Sequence, residues 1–307
     1  MAGGGVDVTV EGRQLKLSNM DKVLYPATGF TKGQVIDYYT RVAPALLPHL
    51  RRRALTLKRY PNGVDAQFFY EKNCPSHRPP WVETVAVWSD RNQADVNYCL
   101  ANDLATVVWV ANLASLELHT SLARADDVLR PTMLVFDLDP GAPAAMVECA
   151  RVGLLVREVL DDLGLACFPK TSGSKGLQVY APLNTPVTYD ATKPFAHALA
   201  RMLEARHPDL VVSQMAKELR KGKVFIDWSQ NDFAKTTVCV YSLRARERPT
   251  VSTPVSWAEV ETVVEKQDPD LVVFEAEQVL ERLGRDGDLF APVAELEQSL
   301  PAPPGQR

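Results

Sequence analysis

The 307 residues, 46% hydrophobic and 23% charged, suffice for one large or two fused globular lobes with a real core. No apolar run reaches membrane-spanning length, and the Met-Ala-Gly-Gly-Gly start lacks the basic and apolar regions of a signal peptide, so no membrane partner and a reducing cytoplasm are expected. The net charge of −4 hides an asymmetry: residues 259–300 hold twelve acidic against three basic residues, a local net of −9, which leaves the remainder at +5 and compatible with a polyanionic partner. Five scattered cysteines without a Cys-x-x-Cys pair support neither a zinc ribbon nor a disulfide framework.

Met1–Gly5 reads as an unstructured start, and Val6–Leu17 alternates like a strand or hairpin. Ala27-Thr28-Gly29 is a turn, after which Thr31 caps a helix running through Val35, Ile36, Tyr39, Val42 and Leu46. Lys22 falls in the preceding loop and Lys32 in the first helical turn, where a phosphate could sit. Ala54–Tyr60 is a predicted strand. Phe68-Phe69-Tyr70 follows, and three consecutive rings cannot all face one core, so at least one is expected in the open or in a cleft. Val82–Val87 and Ala94–Cys99 read as further strands. Asp103–His119 is predicted as one buried helix, with His119 near its end.

The strand Met133–Asp139 delivers two carboxylates one residue apart, then stops on Pro140-Gly141. Residues i and i+2 of a strand share a face, so Asp137 and Asp139 lie side by side while Leu138 points into packing. Adjacent carboxylates repel, and a hard divalent cation such as magnesium or manganese relieves that repulsion. A helix follows from about Pro143 to Asp162, ending at Gly164. The strand Ala166–Thr171 then enters Ser172-Gly173-Ser174-Lys175-Gly176, and the chain returns as a strand at Leu177–Ala181. This is not a P-loop, but its small residues let backbone N–H groups approach an anion, and Lys175 adds charge. After an amphipathic helix over Tyr189–His207, Val224–Trp228 repeats the pattern of an apolar strand ending in a carboxylate, Asp227. Val238–Leu243 is a predicted strand that leads to Arg244-x-Arg246-x-Arg248. Ser256 opens a helix with a capping box, Glu275–Gly284 is a last helix, and Pro301–Arg307 is a proline-rich tail.

Three carboxylates with basic groups nearby meet the needs of two-metal nucleotidyl transfer. Asp137, Asp139 and Asp227 would supply the first set, and Lys175, Arg220, Arg244 and Arg246 the second. Phe136-Asp137-Leu138-Asp139-Pro140-Gly141, Ser172–Tyr180 and Asp227-Trp228-Ser229-Gln230-Asn231 resemble, in order, the three motifs of the primase–polymerase domain of bacterial DNA ligase D, of the archaeo-eukaryotic primase superfamily. The likeness extends to Asp21–Gly29, Lys58–Val64 and Tyr241–Arg246, and spans about residues 10 to 290.

The resemblance implies an α/β primase-like fold with a mixed-sheet catalytic core flanked by helices. Residues 1–130 would form an N-terminal subdomain recognising DNA ends, 131–258 the catalytic core and 259–307 an acidic C-terminal segment, in one compact unit. It implies a template-directed polymerase of non-homologous end joining that prefers ribonucleotides and uses two Mn²⁺ or Mg²⁺ ions. The expected partners are gapped or broken DNA with a 5′-phosphate, NTPs, Ku and an ATP-dependent ligase, in the bacterial cytoplasm at the nucleoid. By this likeness Asp137, Asp139 and Asp227 are the catalytic metal ligands. Lys58, His119, Ser172, Gly173, Lys175, Gln178, Arg220, Arg244 and Arg246 meet the nucleotide. Asn19, Lys22 and Lys32 form the 5′-phosphate pocket, and Phe69 and Tyr70 meet the template, where the family usually has two phenylalanines. The chain departs from the pattern at Gln178, where the second motif usually carries histidine; glutamine also donates hydrogen bonds but cannot become cationic. Two competing readings are an aspartate-nucleophile phosphohydrolase and a non-catalytic end-bridging module. Pro140-Gly141 after Asp-x-Asp argues against the first, and retention of all three aspartates against the second.

Overall fold

A computed structural model describes residues 5–303; the expectations for residues 1–4 and 304–307 lie outside it. The chain divides into two compact units that interleave in sequence. Among the described residues the first comprises 5–121, Val238–Val251 and Glu275–Gly287, and the second Leu122–Thr237, Ser252–Phe274 and 288–303. The expected succession of 1–130, 131–258 and 259–307 is thus rearranged in space. Segments from both the core and the acidic region return to the first unit: Cys239 N–H donates to Leu118 O at 2.8 Å, and Thr250 bridges Glu275. Among the described residues no helix is long and apolar enough to cross a membrane.

The second unit is built on a five-stranded mixed sheet. Its order is Phe168–Thr171, Leu177–Pro182, Met133–Pro140, Val224–Asp227 and Val211–Val212, antiparallel except for the last, parallel pair. Met133–Pro140 sits at the centre because its apolar alternation serves one side only: Leu134, Phe136 and Leu138 are fully buried in the core. The helices Met146–Asp162 and Tyr189–Arg206 supply Val152, Val156, Phe195 and Leu199 to that core. The opposite face of the strand carries the buried Met133 and Val135 and then Asp137 and Asp139.

The first unit holds a second sheet in which Leu55–Arg59 pairs with Ser115–Thr120, Ala94–Cys99 and Phe69–Glu71, and Ala94–Cys99 continues to Thr84–Ser89. The helix Lys32–Leu50 anchors here through the Tyr39 hydroxyl, which donates to Leu116 O at 2.7 Å, and the Tyr38 hydroxyl, which donates to Tyr241 O at 2.9 Å.

Several expectations are corrected. The helix predicted over 103–119 stops at Asn112, and Ser115–Thr120 is a strand. Ala114 adopts a left-handed φ of 57° that ends the helix, after which Leu116 and Leu118 alternate with Glu117 and His119 at period two. The strand over Val238–Leu243 shortens to Thr237–Val238 and gives way to a turn with Tyr241 at φ 63°. The last helices are Ala276–Asp286 and Ala291–Glu295. Cys74 and Cys99 form a disulfide. Their separation gave no sign of it, since the pairing depends on the loop after Glu71 folding back, where Cys74 N–H donates to Asn97 O at 2.6 Å.

Candidate active site

Strand register in the second unit sets four polar side chains in one cross-strand row. Lys170 is opposite Gln178, Gln178 opposite Asp137, and Asp137 opposite Asp227. Directly paired residues project to the same face. Asp139, two residues on, shares that face and is paired with Phe225. The three aspartates therefore share the face opposite the helical core. Burial, and next Asp139, push the Asp137 carboxyl up to about 7; Asp227 adds to the rise, and Gln178 and Lys170 oppose it.

Asp227 Oδ1 accepts from the Ser229 hydroxyl at 2.6 Å and the Ser229 N–H at 3.1 Å, and Oδ2 from Gln230 Nε2 at 2.7 Å. Asn231, fully buried, clamps the central strand: its Oδ1 accepts from Val135 N at 3.0 Å and its Nδ2 donates to Val135 O at 2.8 Å. The third motif thus both supplies a carboxylate and holds the strand that bears the other two. Three like charges on one face, all hard oxygen donors, have the chemistry of a Mg²⁺ or Mn²⁺ site. Among the described residues, however, no three His, Cys, Asp or Glu side chains draw close enough to hold a metal by themselves.

The Ser172–Gly176 loop closes on itself. Ser172 N–H donates to Gly176 O at 2.8 Å, while Ser172 Oγ accepts from the N–H groups of Ser174 and Gly176 at 3.2 and 3.1 Å. Gly173 has φ 66°, and a Cβ on Gly176 would meet Leu138 O at 2.2 Å. The loop therefore lies against the carboxylate strand only because residue 176 has no side chain. Lys175 is exposed at its tip. Gly141 performs the same service on the other flank, where a Cβ would meet Arg220 O at 1.9 Å. The Arg220 guanidinium lies 3.7 Å from the Phe225 ring centroid, and its Nη2 donates to Met215 O at 2.8 Å.

In the first unit, the expected nucleotide contacts gather around a residue that the sequence reading missed. Glu117, 2% exposed, meets Lys58 Nζ at 3.2 Å, His119 Nε2 at 3.0 Å and Arg244 Nε at 3.3 Å, and accepts from Ala245 N–H at 3.2 Å. Burial alone would raise its pKa, but the His119 hydrogen bond and the Arg244 and Lys58 charges hold the carboxyl well below its usual range. His119 is pushed below its ordinary value by burial, with Glu117 opposing. Glu117 is visible in the sequence as the polar member of Leu116-Glu117-Leu118, once that stretch is read at period two. Arg246 is exposed two residues beyond Arg244.

Lys58 is opposite both Tyr70 and Glu117, so these three form a row on the same face. Phe68, Phe69 and Tyr70 are all exposed, in keeping with the expectation of at least one open ring. Lys58 Nζ lies 4.4 Å from the Phe68 centroid and 5.5 Å from that of Tyr70, Arg59 covers Phe69 at 5.1 Å, and Tyr70 meets His119 edge-on at 6.1 Å. Elsewhere in this unit, Thr31 and Gln34 form a capping box that starts the helix at Lys32. Lys32 Nζ donates to Ser18 O at 2.7 Å, Lys22 Nζ donates to Asn62 Oδ1 at 2.9 Å, and Asn19, at φ 53°, makes the turn that closes with Lys22 N–H on Asn19 O. Burial, and then the Lys22 and Arg59 charges, lower Lys32 to about 8.

A mixed sheet with helices on one face and aspartates from two strands on the other is the architecture expected of the primase type of fold. The chain belongs to the family of the LigD primase–polymerase domain, whose model matches residues 31–290. It is 43% identical over 297 residues to the multifunctional non-homologous end joining protein LigD of Mycobacterium bovis, covering 92% of this chain and 38% of that protein. It is 30% identical over 278 residues to the bifunctional LigD of Bacillus subtilis, covering 90% of this chain and 44% of that one. Among solved structures, the polymerase domain of Mycobacterium tuberculosis ligase D in complex with DNA matches with a TM-score of 0.85 and 42% identity, over 92% of this chain and 99% of that one. The chain thus spans less than half the length of these curated full-length relatives and nearly all of the solved polymerase domain.

Proposed function

We propose that this chain is a DNA-dependent polymerase of bacterial non-homologous end joining that adds nucleotides, ribonucleotides by preference, to primer 3′-ends at gaps and breaks, acting with Ku and an ATP-dependent ligase. The observation that carries the reading is the register that sets Asp137 opposite Asp227, with Asp139 on the same face and the Ser172–Gly176 loop against their strand. Asp137, Asp139 and Asp227 would hold two Mn²⁺ or Mg²⁺ ions, which when bound supply the charge that activates a 3′-hydroxyl and neutralises a leaving pyrophosphate. Ser172, Gly173 and Lys175 offer an anion a small-residue loop with an exposed ammonium, and Arg220 adds charge on the strand's other flank. In the first unit Lys58 and Arg244, anchored by Glu117, are proposed to bind triphosphate oxygens together with Arg246. His119, its pKa depressed, joins as a neutral hydrogen-bonding group. Phe69 and Tyr70 present exposed ring faces to a template base. Asn19, Lys22 and Lys32 are proposed to take the downstream 5′-phosphate.

The test is extension of a gapped duplex with Mn²⁺ and rNTPs. Asp137→Ala with Asp139→Ala is expected to abolish it in a protein that melts like wild type, and surviving incorporation overturns the assignment. Lys22→Ala and Lys32→Ala are expected to weaken binding only to substrates carrying the 5′-phosphate. Equal losses with and without it would reduce both lysines to general electrostatics.

A further inference from the structure

The cross-strand row that contains Asp137 begins at Lys170, a side chain with no role in the family pattern described above. Lys170 is 1% exposed, and its Nζ donates to Gln178 Oε1 at 2.5 Å and to Ser252 Oγ at 2.7 Å. Gln178 is in turn paired directly across the strands from Asp137, on the same face. Burying an ammonium is expensive, and an apolar side chain would fill a central strand position at less cost, so packing alone does not account for the residue.

Donor and acceptor polarity supplies a reason. An amide can present either its oxygen or its NH₂ to a neighbour. A lysine has three donors and no acceptor, so the oxygen of Gln178 must face Lys170. The NH₂ is then turned toward Asp137, its neighbour across the strand pair, which as a carboxylate only accepts. Without the lysine, only the longer bond from the Tyr180 hydroxyl, at 3.4 Å, holds the amide oxygen away from Asp137, where two acceptors would repel. Ser252 fixes the lysine from the far side, because its hydroxyl donates to Thr171 O at 2.8 Å and is left with only acceptor capacity for Nζ. The family's usual histidine offers a ring N–H at this place without help; glutamine needs its orientation set.

We infer that Lys170 is a positioning residue for the carboxylate site: with Ser252 it locks Gln178 so that its amide N–H always faces Asp137, and the Lys170–Gln178 pair does in this chain what a single histidine does elsewhere. The inference rests on the polymerase reading for its catalytic consequence, though not for its effect on cation binding.

The test compares Lys170→Met, Ser252→Ala and the double variant Lys170→Met with Gln178→His in the full chain. Mn²⁺ affinity is measured by electron paramagnetic resonance, and kcat and KM by primer extension. Groups that orient metal ligands are typically worth about 10- to 100-fold in affinity or activity. Lys170→Met is expected to lose about tenfold in Mn²⁺ affinity and in kcat with KM for the rNTP unchanged. Ser252→Ala is expected to lose less in the same two quantities, and the double variant to recover most of the loss. Wild-type behaviour of Lys170→Met overturns the inference, as does a folded double variant that recovers neither quantity. If Lys170→Met does not fold, Ser252→Ala decides: unchanged Mn²⁺ affinity and kcat would refute the lock. A wild-type protein that binds Mn²⁺ in a Lys170-dependent way but extends no primer leaves the lock standing and defeats the polymerase reading instead.

Discussion

Glu117 concentrates more of the first unit's chemistry than any residue singled out from the sequence. A buried carboxylate with three basic partners holds them in one geometry, whereas a neutral isostere leaves Lys58 and Arg244 without their counter-charge. Removing one partner of a buried ion pair costs about 3–5 kcal/mol. Glu117→Gln is therefore expected to lower the melting temperature measurably and to raise KM for the nucleotide about tenfold or more, since an Arg–phosphate bond depends on placement. Unchanged KM in a folded variant would make Glu117 purely structural. The pH dependence follows from the same groups. The Glu117 carboxyl is depressed in the fold relative to its ordinary 4.5, so its stabilisation is complete above that value and drains away as pH falls through the folded pKa. His119 is depressed too, so its protonation below its ordinary 6.5 also opposes the fold. Wild type should lose stability more steeply than Glu117→Gln as pH falls below the ordinary 4.5 of the carboxyl, followed by urea melts from there to about pH 2.

At the scale of elements, legibility depended on period and on local chemistry. The strand Met133–Pro140 was readable because apolar alternation ends in two carboxylates, and the cap at Thr31 because Gln34 completes its box. The stretch 103–119 was misread because its apolar residues fit a helix and a strand in succession, and the break at Ala114 carries no Gly or Pro. The Ser172–Gly176 loop was readable as small and basic, but not its contact with Leu138. That contact yields a test: Gly176→Ala must displace the loop from the strand, and is expected to cut extension about tenfold or more, the scale of disturbing a group that positions the reaction. Retained activity would show that the loop can move away without consequence. The Lys22–Lys32 turn yields another. Lys32 near 8 is cationic at pH 7 and neutral by pH 9. The advantage of a 5′-phosphorylated end over an unphosphorylated one, measured by fluorescence anisotropy, should shrink between those values. A constant advantage would remove Lys32 from the pocket.

Across the whole molecule, what sequence could not convey is register and return of the chain. Lys170, Gln178, Asp137 and Asp227 come from four strands spread over 91 positions, and only pairing aligns them. Cys74 and Cys99 meet for the same kind of reason. The acidic C-terminal region shows how far this goes. Its composition suggests an appended segment, yet Glu275–Gly287 belongs to the first unit and the flanking stretches to the second. Val272, Val279, Phe290 and Val293 are each at most 3% exposed. Full burial of such side chains is worth about 1.5–3 kcal/mol each, so four of them approach the entire stability of a typical domain, about 5–15 kcal/mol. A chain ending at Lys266 is accordingly expected to lose cooperative thermal melting by circular dichroism and to bind a hydrophobic dye. Cooperative melting at the wild-type temperature would instead mark the region as an outer layer. The expected result makes the negative segment part of both cores, so that the net positive charge of the remainder cannot be exposed by trimming it away.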